Sequence, residues 1–127
     1  MCIASKYVEV LKETLKNVTK DHRKLSDQLS KYDKEVSEIY HMIETEKFDA
    51  ARGYCLSKQL QTKLRERRII KHEMARLSSL KQTLNIEQLH NTIEKTKGNI
   101  SKLKNKNKEY TVDWDIDSSF IDELILH

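Results

Sequence analysis

The sequence predicts an all-α protein, a long antiparallel helical hairpin or three-helix coiled-coil bundle with an acidic C-terminal tail. Three observations carry that prediction. The 127 residues include no proline and only two glycines, so the turn chemistry that sheets and mixed folds need at each connection is missing. Apolar residues recur in alternating steps of three and four along most of the chain, the repeat of helices packed along a seam. The closing stretch EYTVDWDIDSSFIDELILH carries six carboxylates and no Lys or Arg, whereas the whole chain has a formal charge of +4. The length suits one domain, divided here into a helical coiled-coil part, residues 1–109, and a tail, residues 110–127.

The first helix is expected over about residues 4–45. Its seam runs Val8, Leu11, Leu15, Val18, His22, Leu25, Leu29, Tyr32, Val36, Ile39 and Ile43, and only His22 breaks the apolar pattern. The residues flanking this seam would form no attractive charge pairs in a parallel homodimer, and Tyr7, Tyr40 and Met42 widen the apolar face. Packing against other helices of the same bundle is therefore favoured over a two-stranded zipper. A polar seam residue such as His22 can fix register, although a partly solvated packing histidine is the simpler reading.

The segment ETEKFDAARG interrupts the pattern, and Asp49 suits the N-cap of a second helix over residues 50–84. So short a break implies an antiparallel hairpin. Its inward residues would be Leu56, Leu60, Leu64, Ile70, Met74, Leu77 and Leu84, with Lys63, Arg67 and Lys81 on or beside the same stripe. At NIEQ the register slips. Asn85 with Gln88 resembles a capping box, and a third helix over 86–108 carries Ile86, Leu89, Ile93, Ile100 and Leu103. Gly98 within it costs roughly 1 kcal/mol relative to Ala. The third seam looks suited to pairing with another copy, while Lys97, Lys104 and Lys106 beside it would prefer an acidic partner.

In the tail, Val112, Trp114 and Ile116 alternate with aspartates, a strand period that could add to the edge of a partner sheet. After it, SSFIDELIL reads as a short amphipathic helix capped at Ser119, with Phe120, Ile121, Leu124 and Ile125 on its apolar side. This tail could fold back on its own helices, dock on another protein, or act as an anionic lid. Its candidate partner-binding residues are Val112, Trp114, Ile116, Phe120, Ile121 and Leu124.

Residues 1–108 hold all 24 Lys and Arg against 14 Asp and Glu, a balance of +10, and the remainder contributes −6. The cations concentrate in KLRERRIIKHEMAR and EKTKGNISKLKNKNKE, which give a candidate basic surface of Lys63, Arg65, Arg67, Arg68, Lys71, Lys97, Lys104 and Lys106. Such a surface can follow a phosphate backbone. Glu66 and Glu73 are the nearest carboxylates in sequence to the arginine group, and no aromatic residues interleave with either cluster to stack on bases.

Glu38 with His41 and Glu87 with His90 have the Glu-x-x-His spacing of di-iron bundles, but both pairs fall outside the apolar seams, so no metal site is assigned. The sequence contains no Gly-rich phosphate loop and no Gly-x-Ser-x-Gly, so the expectation is no enzyme, no catalytic residue and no cofactor. No run approaches the roughly 20 apolar residues of a membrane span, and the start has no signal-peptide pattern. A cytoplasmic protein with Cys2 and Cys55 as free thiols is expected.

The stretch YDKEVSEIYHMIETEKFDAARGYCLSKQLQTKLRERRIIKHEMARL, residues 32–77, resembles small helical proteins of bacteriophages and prophages of low-GC Gram-positive bacteria. The likeness lies in SEIYH, an Ile-Glu pair, an Ala then Gly-Tyr turn, and a Leu-rich helix with ERRIIK. It implies a phage-encoded protein of the host cytoplasm that binds a host or phage protein, including host defence machinery. In that light Ala51, Gly53 and Tyr54 are expected to serve close helix packing at the hairpin. Taken together, the expected function is noncatalytic protein binding or regulation by a homo-oligomer. The alternative is a nucleic-acid-binding helical protein restrained by its tail.

Overall fold

The computed structural model describes residues 2–112, 114 and 119–125. Four helices lie within them: α1 (Ile3–Thr45), α2 (Ala50–Leu84), α3 (Ile86–Thr111) and α4 (Ser119–Ile125). The long helices α1, α2 and α3 pack as an antiparallel hairpin. α1 forms one arm, and α2 followed by α3 forms the return arm. α1 meets α2 from His22 to its C-terminal part and α3 along its N-terminal part, whereas α2 and α3 make few contacts with each other. At 1.5 Å per residue the 43-residue α1 is about 64 Å long, so the molecule is a rod two helices thick.

Local chemistry explains each boundary. The Cys2 sulfur accepts from the Ser5 amide at the start of α1. At the closed end of the hairpin, the Asp49 carboxylate accepts the Arg52 amide at 2.8 Å, capping α2 as expected. Gly53 serves contact here, but with a different neighbour from the one expected. A Cβ at this position would lie 3.3 Å from the Phe48 ring of the connecting loop, so the glycine makes room for that ring rather than for another helix.

Asn85 does two jobs at once. With φ 47° and ψ 68° it lies in the left-handed region, ending α2 through its amide to the Gln82 carbonyl, and its side chain accepts the Gln88 amide at the start of α3. Asparagine tolerates this backbone better than most residues. The Gln88 side-chain Oε1 in turn accepts from the Asn85 side-chain amide at 2.9 Å, closing the expected box between side chains because the Asn85 backbone amide already caps α2.

Two apolar clusters anchor the rod. Val8 and Leu15 of α1 are buried with Ile86 and Ile93 of α3, flanked by Leu89 and Ile100. Nearer the closed end Val36, Ile39 and Leu56 are buried. Between them the seam is half-buried, and His22 bonds the Ser78 hydroxyl at 3.1 Å. His22 thus has a polar partner on α2, which gives this stretch of α1 and α2 a preferred register.

Most of the α3 seam is used within the chain, through Ile86, Leu89, Ile93 and Ile100, and only Leu103 of its apolar residues is left 59% exposed. Ile86 and Ile93 close against Val8 and Leu15, so the case for self-association through that seam fails: one seam cannot face α1 and a second copy together. Leu11, a seam residue, is 52% exposed. α3 carries Thr96 at the matching seam position between Leu89 and Leu103, which offers no apolar partner there.

α3 continues through Thr111, past the expected end at Lys108. Val112 keeps helical angles, and the Trp114 amide bonds the Thr111 carbonyl at 3.0 Å. The strand reading therefore fails at its first residues, because a helical turn carries the chain out of α3. Ile116 and the aspartates beside it lie outside the described residues. Ser119, expected as a cap, is the first residue of α4.

Gly98 sits within α3, where an added Cβ would meet nothing within 4 Å. Gly98→Ala is therefore expected to stabilise the protein by about 0.5–1 kcal/mol, through backbone entropy alone. Urea unfolding followed by circular dichroism measures this.

Candidate functional site

The basic surface expected from sequence divides into cations used inside the fold and cations left facing solvent. The seam of α2 steps through Leu56, Leu60, Lys63, Arg67, Ile70, Met74 and Leu77, which places Lys63 and Arg67 against α1. Both are half-buried there. Lys63 Nζ lies 2.9 Å from Glu35 Oε2 and 5.1 Å from the centre of the Tyr32 ring, while Arg67 pairs with Asp33. The hydrogen-bonded pairing with Glu35 raises the Lys63 pKa, and Lys63 lowers that of Glu35. Tyr32 donates to the Glu66 carboxylate, which raises the tyrosine's pKa. Lys63 and Arg67 thus join the two arms, and their charges are engaged there, although Arg67 also reaches the edge of the groove that Arg65 and Arg68 border.

Toward the other end, Lys97 lies 3.9 Å from Glu9, and Lys104 donates to the Ser5 hydroxyl at 3.1 Å. Lys12 and Glu94 add a pair at 3.3 Å with the polarity reversed. Lys106 is exposed.

Arg65, Arg68 and Lys71 remain. They border a groove of about 610 Å³ whose described lining includes Leu60, Leu64 and His72. The carboxylates nearest in sequence are engaged elsewhere: Glu66 accepts from Tyr32, and Glu73 pairs with Arg76 at 2.7 Å. Among the described residues none forms an ion pair with Arg65, Arg68 or Lys71. An apolar floor with unneutralised guanidinium walls suits an anionic group attached to an apolar body. Of the residues expected inward on α2, Leu64 and Leu84 are 36% and 51% exposed, whereas Leu60 stays half-buried on the seam and reaches the groove from there, with Leu64 beside it. Their place at the groove depends on where α1 crosses α2, which helical spacing does not specify.

The tail residues assigned to partner binding are exposed wherever they are described. Val112, Trp114, Phe120 and Leu124 each expose half or more of their surface, and Ile121 nearly as much. α4 lies beside the start of α1, where Lys6 Nζ is 3.8 Å from Asp122 Oδ1 and Ile3, Tyr7, Val10 and Ile125 line a shared groove of about 580 Å³. Its backbone approaches no other helix closely. Tyr7 and Val10 were missing from the candidate residues. Their signal is an apolar strip beside the main seam, of which Tyr7 was read only as a broadening. The Glu-x-x-His residues Glu38, His41, Glu87 and His90 are all exposed, as their positions off the seams require.

Cys2 sits at this open end. Hydrogen bonds from the Ser5 hydroxyl and amide, aided by the charge of Lys104, lower its thiol pKa to about 7. Cys2 is therefore expected to alkylate several-fold faster at pH 7 than an ordinary thiol, which is only a few per cent ionised there. The rate should fall as pH drops through 7, and Ser5→Ala should slow it. Because folding lowers this pKa, the thiolate's contribution to stability is present above the ordinary thiol range and lost as pH falls through about 7. Iodoacetamide labelling with peptide mapping separates Cys2 from Cys55; both are free thiols.

The fold and its surfaces define an all-α helical hairpin that exposes one acidic-apolar helix and one basic-apolar groove. Comparison with protein-family models, with curated proteins and with solved structures finds no match. No helix among the described residues is long and apolar enough to cross a membrane.

Proposed function

We propose that the chain is a noncatalytic binding protein that regulates another protein through its C-terminal segment. The observation that carries this reading is the concentration of exposed large apolar side chains at the open end of the hairpin. Tyr7, Val10, Leu11, Leu103, Tyr110, Val112, Trp114, Phe120, Leu124 and Ile125 all lie there, each at least half exposed. So many exposed apolar side chains at one end of a rod with so thin a core mark an interaction site, and the aromatic ones are the residue types that anchor protein interfaces. The resemblance of residues 32–77 to small helical phage proteins supports a phage-encoded product that acts on a host protein, including one of host defence, in the host cytoplasm.

Affinity capture with the full chain tests this. A discrete protein should be retained by the native sequence and by Ile69→Asp, whose side chain is exposed on α2, but lost with Phe120→Asp combined with Leu124→Asp. Equal retention by all three would defeat the reading.

The second reading, nucleic-acid binding restrained by the tail, is favoured by one observation, that among the described residues none forms an ion pair with Arg65, Arg68 or Lys71. It requires affinity for duplex that falls steeply with salt and rises when the chain ends after Glu109. Fluorescence anisotropy across a salt series measures both, and a flat salt response removes this reading.

A further inference from the structure

The basic groove on α2 and the acidic-apolar α4 are complementary. The groove offers Leu60 and Leu64 beneath Arg65, Arg68 and Lys71. α4 offers Phe120, Ile121 and Leu124 with Asp122 and Glu123, and its seat beside Lys6 leaves Phe120 and Leu124 51% and 55% exposed. Each surface supplies what the other lacks, an apolar contact and an opposite charge.

They cannot meet within one chain. Lys104 lies at Ser5 and Arg67 at Asp33, so α1 measures the distance between them as 28 residues, about 42 Å. The seven further residues of α3 to Thr111 add about 10 Å. The nine residues from Thr111 to Phe120 span about 32 Å at full extension. A tail leaving the open end therefore stops well short of its own groove.

We infer that the occupant of the α2 groove is α4 of a second copy of this chain, and that two hairpins lie side by side in opposite directions and exchange tails. The groove sits near the closed end, because Arg67 faces Asp33 only twelve residues before α1 ends at Thr45. Opposed hairpins bring each open end beside the other's closed end, so both tails dock at once through one two-fold axis, as a self-complementary interface requires. The surface area agrees. The chain exposes 10591 Å², whereas a compact monomer of 15.0 kDa exposes about 7,000 Å². An interface of standard size covers about 800 Å² on each partner, which leaves ample area for it. This pairing goes beyond the host-directed reading and uses the same Phe120 and Leu124 face, so each α4 engages either a second copy or another protein at one time. Sedimentation of the isolated chain tests the pairing apart from capture of another protein.

Sedimentation velocity of the full chain over a concentration series tests the inference. The native chain should sediment as a dimer. Phe120→Asp with Leu124→Asp should weaken the dimer about tenfold or more, with helical content unchanged because both side chains are exposed. Arg65→Glu with Arg68→Glu should do the same, and adding Asp122→Arg and Glu123→Arg to that variant should restore the dimer. A native chain that stays monomeric overturns the inference. So does a dimer sensitive to only one of the two surfaces, or one that charge exchange fails to restore. A groove filled by a nucleic-acid backbone instead would leave the native and Phe120→Asp/Leu124→Asp chains the same size, and that too contradicts it.

Discussion

Leu56→Ala is expected to cost about 2–5 kcal/mol, the usual range for emptying a fully packed leucine site. Leu56 is 1% exposed, the most enclosed side chain described, and shares the closed-end half of the rod with buried Val36 and Ile39. In a compact globule several layers of side chains could relax into the void. Here α2 has only α1 to lean on, and Leu56 is its only fully buried side chain. Against total stabilities of about 5–15 kcal/mol, the loss should move the urea midpoint far enough for circular dichroism to resolve without ambiguity. A change below about 0.5 kcal/mol, the range typical of surface substitutions, would mean that the closed end is not packed as described.

Asn85→Val should be nearly as damaging for a different reason. The position has φ 47°, a backbone that costs an ordinary side chain about 1–2 kcal/mol, and a β-branched residue resists it more strongly. Valine also removes the cap on the Gln88 amide, worth about 1 kcal/mol. The combined expectation is a loss of about 2–3 kcal/mol. Asn85→Gly separates the two causes, since glycine keeps the backbone and gives up only the side-chain cap. Thermal unfolding of the pair should therefore place Gly close to the native protein and Val well below it. Equal losses would show that the left-handed junction between α2 and α3 is not maintained in solution.

Much of this architecture was legible because it is written locally. The step of three and four from Val8 to Ile43 specifies α1, Asp49 marks the start of α2, and Asn85 with Gln88 marks the junction. Each signal lies within a few residues of the feature that it determines. The basic surface was harder because its outcome depends on distant residues. Lys63 and Arg67 appear as members of one cluster with Arg65 and Arg68 until α1 brings Glu35 and Asp33 across from a different helix. Helical spacing shows that Lys63 shares a stripe with Leu56, but it does not show what that stripe will face. The same gap left open what the α3 seam would meet, since an apolar stripe looks alike whether its partner lies within the chain or outside it, and Ile86 and Ile93 meet α1. Around Val112 two periods competed. An alternation of apolar and acidic residues over five positions satisfies a strand repeat, yet the helix already running through Thr111 carried Val112 with it.

The ion pairs between the arms also constrain how the rod can be altered. Glu35, Lys63, Asp33 and Arg67 join α1 to α2, and Lys12, Glu94, Glu9 and Lys97 join α1 to α3. Exposed pairs of this kind add little stability singly. The reversed polarity of Lys12 with Glu94 beside Glu9 with Lys97 instead disfavours a slip of α3 along α1, which would set like charges opposite each other. Arg65, Arg68 and Lys71 on α2 and Lys106 on α3 stand outside this scheme, and the proposed binding uses the α2 group and the tail.

The most direct test of a tail that binds protein is photo-crosslinking inside the cell, with a photoreactive amino acid at position 120 and, as a control, at exposed position 27 on α1. Position 120 should give discrete protein adducts, one to a second copy of the chain and one to a different polypeptide, and position 27 should give neither. Adducts from position 120 to nucleic acid, or the same diffuse pattern from both positions, would contradict the account.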